Sequence, residues 1–162
     1  MDYYKPIESP IYKGVKLSKN MTSKTKEEIQ EMKSKPYAKV VGSLMYTMLC
    51  TKPDLSYVVD LISQYQSNPS IPHWLVVKRI LRYIQDTLDF SLTYQTDDIY
   101  VNSYCDADFA SDIDDKSTTS YIFFFGGGVI SWSSKKYCIA KSPMEAKYVA
   151  YNIVVSEVVW LK

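Results

Sequence analysis

Arginine is almost missing from this sequence, histidine nearly so, and neither sign of charge dominates. Arg79 and Arg82 are the two arginines, His73 is the one histidine, and 19 basic side chains face 18 acidic ones for a net charge of +1. A protein that holds nucleic acid by its own surface carries a clear basic excess, because neutralising phosphates supplies much of the affinity. Strong independent nucleic-acid binding is therefore not expected, and Lys35, Lys39, Lys78, Arg79 and Arg82 form only a candidate local patch. Cysteine is also sparse. Cys50, Cys105 and Cys138 are odd in number and far apart, with no C-x-x-C pair. That excludes a zinc cluster or a disulfide framework and points to buried free thiols in a reducing compartment. No apolar run approaches the roughly 20 residues of a membrane span. The opening M-D-Y-Y-K-P-I-E-S-P lacks the basic-then-apolar order of a secretory leader. No membrane partner is expected, and the location expected is cytoplasmic or nuclear; secretion into a host cell would need a leader or another export route.

What is present is apolar and periodic. Hydrophobic residues make up 46% of 162 positions, enough for one domain or two small coupled halves. Residues 1–35 read as an extended lead-in, with a short surface helix between Thr22 and Ser34 capped by Thr25. Val40, Val41, Leu44, Met45, Met48 and Leu49 recur at helical spacing up to Pro53. A second helix starts near there, with Leu55, Val58, Val59, Ile62 and Tyr65 on one face. A third starts at Ser70, with Pro72 in its first turn and Trp74, Val77, Leu81 and Ile84 facing inward. After Asp89 the period becomes two. Strands are expected at Phe90–Tyr94, from Ile99 to Cys105, at Tyr121–Phe125 and at Val129–Trp132, with glycines 126–128 as a hairpin turn and Tyr137–Ala140 as a further short strand. Ser142-Pro143-Met144-Glu145 then opens a helix with a capping box. The fold class expected is α+β: a three-helix unit at 36–89, then a three-stranded antiparallel sheet and one helix at 90–162.

Ordered motifs resemble copia-type retrotransposon polyproteins over nearly the whole chain, from about Ile7 onward. P-Y-A-K-V-V-G-S-L-M-Y at 36–46, T-K-P-D-L-S-Y at 51–57, H-W at 73–74 and R-I-L-R-Y-I-Q-D-T at 79–87 look like the stretch after the reverse transcriptase active site. Y-C-D-A-D-F-A-S-D at 104–112, K-S-T-T-S-Y at 116–121, G-G-G-V-I-S-W-S-S-K at 126–135 and S-P-M-E-A-K-Y-V-A at 142–150 look like the first half of the ribonuclease H domain. The resemblance implies a thumb or connection scaffold followed by a truncated ribonuclease H-like domain. The family's polymerase motif with its paired aspartates is absent, so template copying is not expected.

Ribonuclease H chemistry uses two dications held by three or four converging carboxylates, one ion activating water and one stabilising the leaving oxygen. The resemblance places Asp106 at the strand aspartate, with Asp108 and Asp112 nearby. It places the helix ligand at the second Glu of an E-A-E-Y pattern, and here the sequence is Glu145-Ala146-Lys147-Tyr148. Lys147 thus puts a cation where an acid is required. Like charges about 4 Å apart repel by around 4 kcal/mol at an effective dielectric near 20, so the swap opposes metal binding twice. Lys147 is expected to pair with Asp106 and plug the site. Glu145 is two residues away, about 200° round the helix, and cannot face the same way. An inactive fragment without cofactor is expected, where the family would use magnesium.

Three further features compete with this reading. Arg79-Ile80-Leu81-Arg82 has the R-x-L-R form of secreted oomycete effectors, an alternative role in host plant cells. His73, with no nucleophile apparent, reads as a helix-start residue. The 15 tyrosines, mostly at apolar periodic positions, read as core and rim packing rather than base-stacking groups. By family resemblance an RNA–DNA hybrid is a weak partner. An exposed sheet edge implies self-association, or docking to a full-length polyprotein that the chain completes in trans.

Overall fold

The structure, a computed structural model, describes residues 7–15, 17–18, 21–95, 100–109, 117–137 and 140–161. The chain divides into two compact units, Met1–Ser91 and Leu92–Lys162.

The first unit is helical. Helix α1 (Lys26–Lys33) opens on a complete capping box: Thr25 Oγ1 accepts the Glu28 N–H, and the Glu28 carboxylate accepts from Thr25 and Lys24. Those backbone N–H groups hold the Glu28 carboxyl below its usual range. Helix α2 (Tyr37–Cys50) buries Tyr37, Val41 and Leu44, spaced by four and three residues along one stripe. Met45 and Leu49, expected on that stripe, are exposed at its margin. Tyr37 donates to the Ile62 carbonyl at 2.8 Å, and burial pushes its phenol well above the ordinary range.

A 3-10 turn (Pro53–Leu55) separates α2 from α3 (Ser56–Ser63). Helix α3 buries Val58, Val59, Leu61 and Ile62, more than one face, because its neighbours enclose it. Tyr65 lies beyond its end but still within the core. Helix α4 (Ile71–Asp86) begins on a second capping box, Ser70 with His73 in the place usually held by Glu or Gln. Its most buried residues are His73, Val76, Val77 and Ile80; of the expected stripe, Val77 is among these, while Trp74, Leu81 and Ile84 are half-buried and pack against the same core. The buried face is shifted because His73 and Arg79, polar by type, are buried against the rings of Tyr65 and Tyr12. The three α-helices expected at 36–89 are α2, α3 and α4, and Leu17 of the lead-in and Met32 of α1 join the same core.

The second unit is a sheet and a helix. Strands β1 (Asn102–Asp108), β2 (Thr118–Phe125) and β3 (Gly128–Lys136) run antiparallel in the order β1-β2-β3. Gly126 and Gly127 have φ of 57° and 74°, the positive pair that a two-residue hairpin turn of type I′ needs. Phe90–Tyr94 is not a strand; instead Tyr94 donates from its hydroxyl to the Val129 carbonyl, and Gln95 N–H donates to Gly126. A Cβ on Gly128 would meet the Thr93 carbonyl oxygen at 2.5 Å, so this approach requires glycine. Tyr137 and Ala140 lie outside any strand, and 138–139 fall outside the described residues. Helix α5 (Pro143–Leu161) packs on β1 and β2, burying Ala146, Ala150 and Val154 at four-residue steps. The class is α+β.

Candidate functional site

Strand alternation decides what Asp106 can reach. Asp106 sits in β1 opposite Ser120, whose hydroxyl lies 2.8 Å from that of Ser134 in β3. Those three residues form a polar row on one face of the sheet. Asp108, two residues on, shares that face and pairs with Thr118. Both aspartates are exposed, and Asp106 Oδ1 accepts the Ala107 N–H at 2.9 Å.

Phe123, three residues from Ser120 along β2, points the other way and is fully buried. Its partner Ser131 donates to Glu157 Oε1 at 2.7 Å, which fixes α5 on the Phe123 face. Burial there raises the Tyr121 phenol above its ordinary pKa. The sheet therefore stands between Asp106 and α5. Lys147 is exposed on that helix, and the expected ion pair with Asp106 does not form. The physical reason is parity: the Asp106 side chain leaves the strand on the face opposite to the helix.

Glu145 has the structural role expected of it. Its carboxylate accepts the Lys141 N–H at 2.7 Å, and its own N–H donates to Ser142 Oγ at 3.2 Å. Asp112 lies outside the described residues. Among the described residues no group of three or more His, Cys, Asp or Glu converges as a metal site. Asp106 and Asp108 by themselves do not fit a pair of dications, which need several carboxylates.

The R-x-L-R tetrad is part of a packed helix. Ile80 is fully buried in the core, while Arg79 is 9% exposed with its guanidinium 3.5 Å from the centre of the Tyr12 ring. Leu81 and Arg82 are half-buried. Arg79 thus leaves the basic patch imagined from sequence. His73 is fully buried and stacks on Tyr65 at 4.1 Å. Its Nδ1 accepts the Ser70 N–H at 3.1 Å and lies 2.6 Å from Ser70 Oγ, a dyad in appearance but a helix cap in function. Burial lowers the His73 pKa. A groove of about 440 Å³ between the starts of α1 and α4 is lined by cap residues, among them Thr25, Glu28 and Ser70.

Several residues escaped sequence reasoning. Lys52 is buried, and its ammonium donates to the Thr87 carbonyl at the end of α4 and lies 5.7 Å from the Phe90 ring centre. Nothing local signals that, because the partner is 35 residues away. Cys50 and Cys105, expected to be buried, are exposed. Many tyrosines expected in packing are exposed too, including Tyr46, Tyr104, Tyr148 and Tyr151. No described helix is long and apolar enough to cross a membrane.

No family model matches the chain, and no solved structure matches it. Curated proteins do. The chain is 45% identical over 160 residues to the retrovirus-related Pol polyprotein from transposon TNT 1-94 of Nicotiana tabacum, covering 98% of this chain and 12% of that protein. It is 37% identical over 160 residues to the corresponding polyprotein from transposon RE2 of Arabidopsis thaliana, covering 97% of this chain and 10% of that one. It is also 41% identical over 133 residues to secreted RxLR effector protein 161 of Plasmopara viticola, covering 80% of this chain and 94% of that protein. The chain thus spans about a tenth of the transposon polyproteins and nearly the whole of the Plasmopara protein. On the matches to the polyproteins, the chain belongs to the retrovirus-related Pol family of transposons and corresponds to one segment of those polyproteins.

Proposed function

We propose that this Pol segment is of copia type, joins a reverse transcriptase connection to the opening of a ribonuclease H-like domain, and has no catalytic activity of its own. The helical unit is then a scaffold, and the sheet with α5 is a pseudo-ribonuclease that needs no cofactor. One observation carries the reading: Lys147 occupies the helix position where the family resemblance requires an acid, while Asp106 faces away from that helix. A cytoplasmic or nuclear location and weak affinity for an RNA–DNA hybrid go with this reading.

Calorimetric titration with manganese tests it. The expected result is no saturable binding of two ions at micromolar protein. Two bound ions, lost on Asp106→Asn, would overturn it.

A second reading is a stand-alone binding module in host plant cells, favoured by the match to nearly the full length of the Plasmopara protein. Against it, Arg79 and Ile80 are buried in α4 rather than displayed as a linear signal. Under that reading an Arg82→Ala variant, at the half-buried end of the tetrad, keeps its fold and loses uptake or defence modulation in leaf tissue. Equal behaviour of the two chains rejects it. A third role, completing a hybrid-cutting enzyme in trans, requires a stable complex with a chain that carries the polymerase aspartates. Co-purification of the two chains, or its failure, decides that role.

A further inference from the structure

We propose that the turn at 51–54 and the last turn of α4 form a two-point clasp, Lys52 on the Thr87 carbonyl and Asp54 on the Tyr83 hydroxyl, which opens as one local unit while the helical core stays folded. T-K-P-D at 51–54 and Y-I-Q-D-T at 83–87 are motifs to which the scaffold reading gives no task. The clasp gives them one. It fixes where α4 ends and where residues 88–91, the last of the first unit, begin.

Core packing does not hold the end of α4. Its buried residues, His73, Val76, Val77, Arg79 and Ile80, all lie between 71 and 80, and none from 81 to 86 is buried. A helix end leaves its last carbonyls without intrahelical partners, and the dipole makes that end negative. The last turn of α4 has no basic residue of its own and contains Asp86, the wrong sign for that end. Lys52 supplies the missing cation from 35 residues away.

Lys52 is held in place for this. It precedes the 3-10 turn, its own N–H donates to the Thr47 carbonyl near the end of α2, and Leu55 just beyond is fully buried. Its side chain is buried, and among the described residues no carboxylate pairs with its ammonium. The Thr87 carbonyl accepts both that ammonium and the Phe90 N–H, and the Phe90 ring centre lies 5.7 Å from the ammonium. A buried cation balanced by a helix end and a ring makes the cation and the helix end depend on each other. One turn back, the Asp54 carboxylate faces the Tyr83 hydroxyl. Burial first, then Asp54 and Asp86, push that phenol up to about 12, so at neutral pH it is a donor. Thr87 N–H and Thr87 Oγ1 both donate to the Tyr83 carbonyl, which ties the two points of the clasp together.

Native-state hydrogen exchange of the full chain, read amide by amide, is the test. Lys52→Met keeps the apolar stem and removes the ammonium, while Tyr83→Phe removes the hydroxyl alone. In Lys52→Met the Thr87 and Phe90 amides should lose protection about three- to tenfold relative to those of Val77 and Ile80. Tyr83→Phe, whose partner Asp54 is exposed, should cost the same two amides about twofold. Combined, the substitutions should cost less than the product of the separate factors, because either one already opens the same turn. An unchanged ratio in Lys52→Met overturns the clasp, whether both pairs of amides stay or both move, since Lys52 would then serve only as a packing stem. Factors that multiply would mean two independent contacts and overturn it as well. None of these outcomes depends on whether the chain cleaves a hybrid.

Discussion

At the scale of single residues, His73 shows how a titratable group can be structural. Its neutral ring accepts the Ser70 N–H and stacks on Tyr65 in the core. Protonation removes the acceptor and charges a buried ring. The folded pKa lies below the ordinary value of 6.5 because of burial, so the folded state binds fewer protons than the unfolded chain in that window. Stability is fully present above pH 6.5 and is lost as the pH falls through the folded pKa. The melting temperature should fall between pH 7 and pH 5, and His73→Gln, which keeps a capping acceptor, should flatten that dependence. An unchanged slope in the variant would remove His73 as the cause. His73 at a helix start was legible in the sequence, since Ser70 and Pro72 frame it. Its complete burial was not, because that depends on Tyr65 of the preceding segment. The same limit applies to Lys52 and Arg79, whose partners Thr87 and Tyr12 lie far off along the chain.

At the scale of elements, helices with strong caps were legible nearly to the residue. Thr25 starts α1, Ser70 starts α4 and Ser142 with Pro143 starts α5, each through a side chain that satisfies orphan N–H groups. Strands were less legible. Phe90–Tyr94 alternates like a strand but is none; its end, Thr93 and Tyr94, lies beside the β2–β3 hairpin, fixed by the Tyr94 hydroxyl and admitted by the bare backbone of Gly128. Gly128→Ala should therefore lower stability by about 1–3 kcal/mol through overpacking against Thr93 and Tyr94, read as a shift in the urea midpoint. No shift would mean that this segment does not hold against the hairpin. In the helical unit Ile80 is fully buried. Ile80→Ala should cost about 2–5 kcal/mol by cavity formation, and a cost under about 1 kcal/mol would contradict its central place. Asp106 and Lys147 belong to this scale as well. Their positions along the chain were legible, but their failure to meet follows from strand parity and from the side of the sheet that Glu157 ties to α5.

At the scale of the whole molecule, membership of a transposon Pol family and possession of its chemistry are separate matters. The order of motifs along the chain made the family legible, and identity to the tobacco and Arabidopsis polyproteins over nearly all residues shows it. Activity depends instead on whether acidic side chains converge. Among the described residues Asp106 and Asp108 share a face without a third carboxylate, and the helix contributes Lys147 on the other side. Exchanging one side chain does not rebuild such a site, so Lys147→Glu should be as inactive as the unmodified chain. The direct measurement is hydrolysis of a labelled RNA–DNA hybrid in magnesium by the full chain, beside Lys147→Glu and Asp106→Asn. All three are expected to leave the hybrid intact at the level of a blank without protein. Cleavage by the unmodified chain that disappears in Asp106→Asn would contradict the assignment of this segment as catalytically silent.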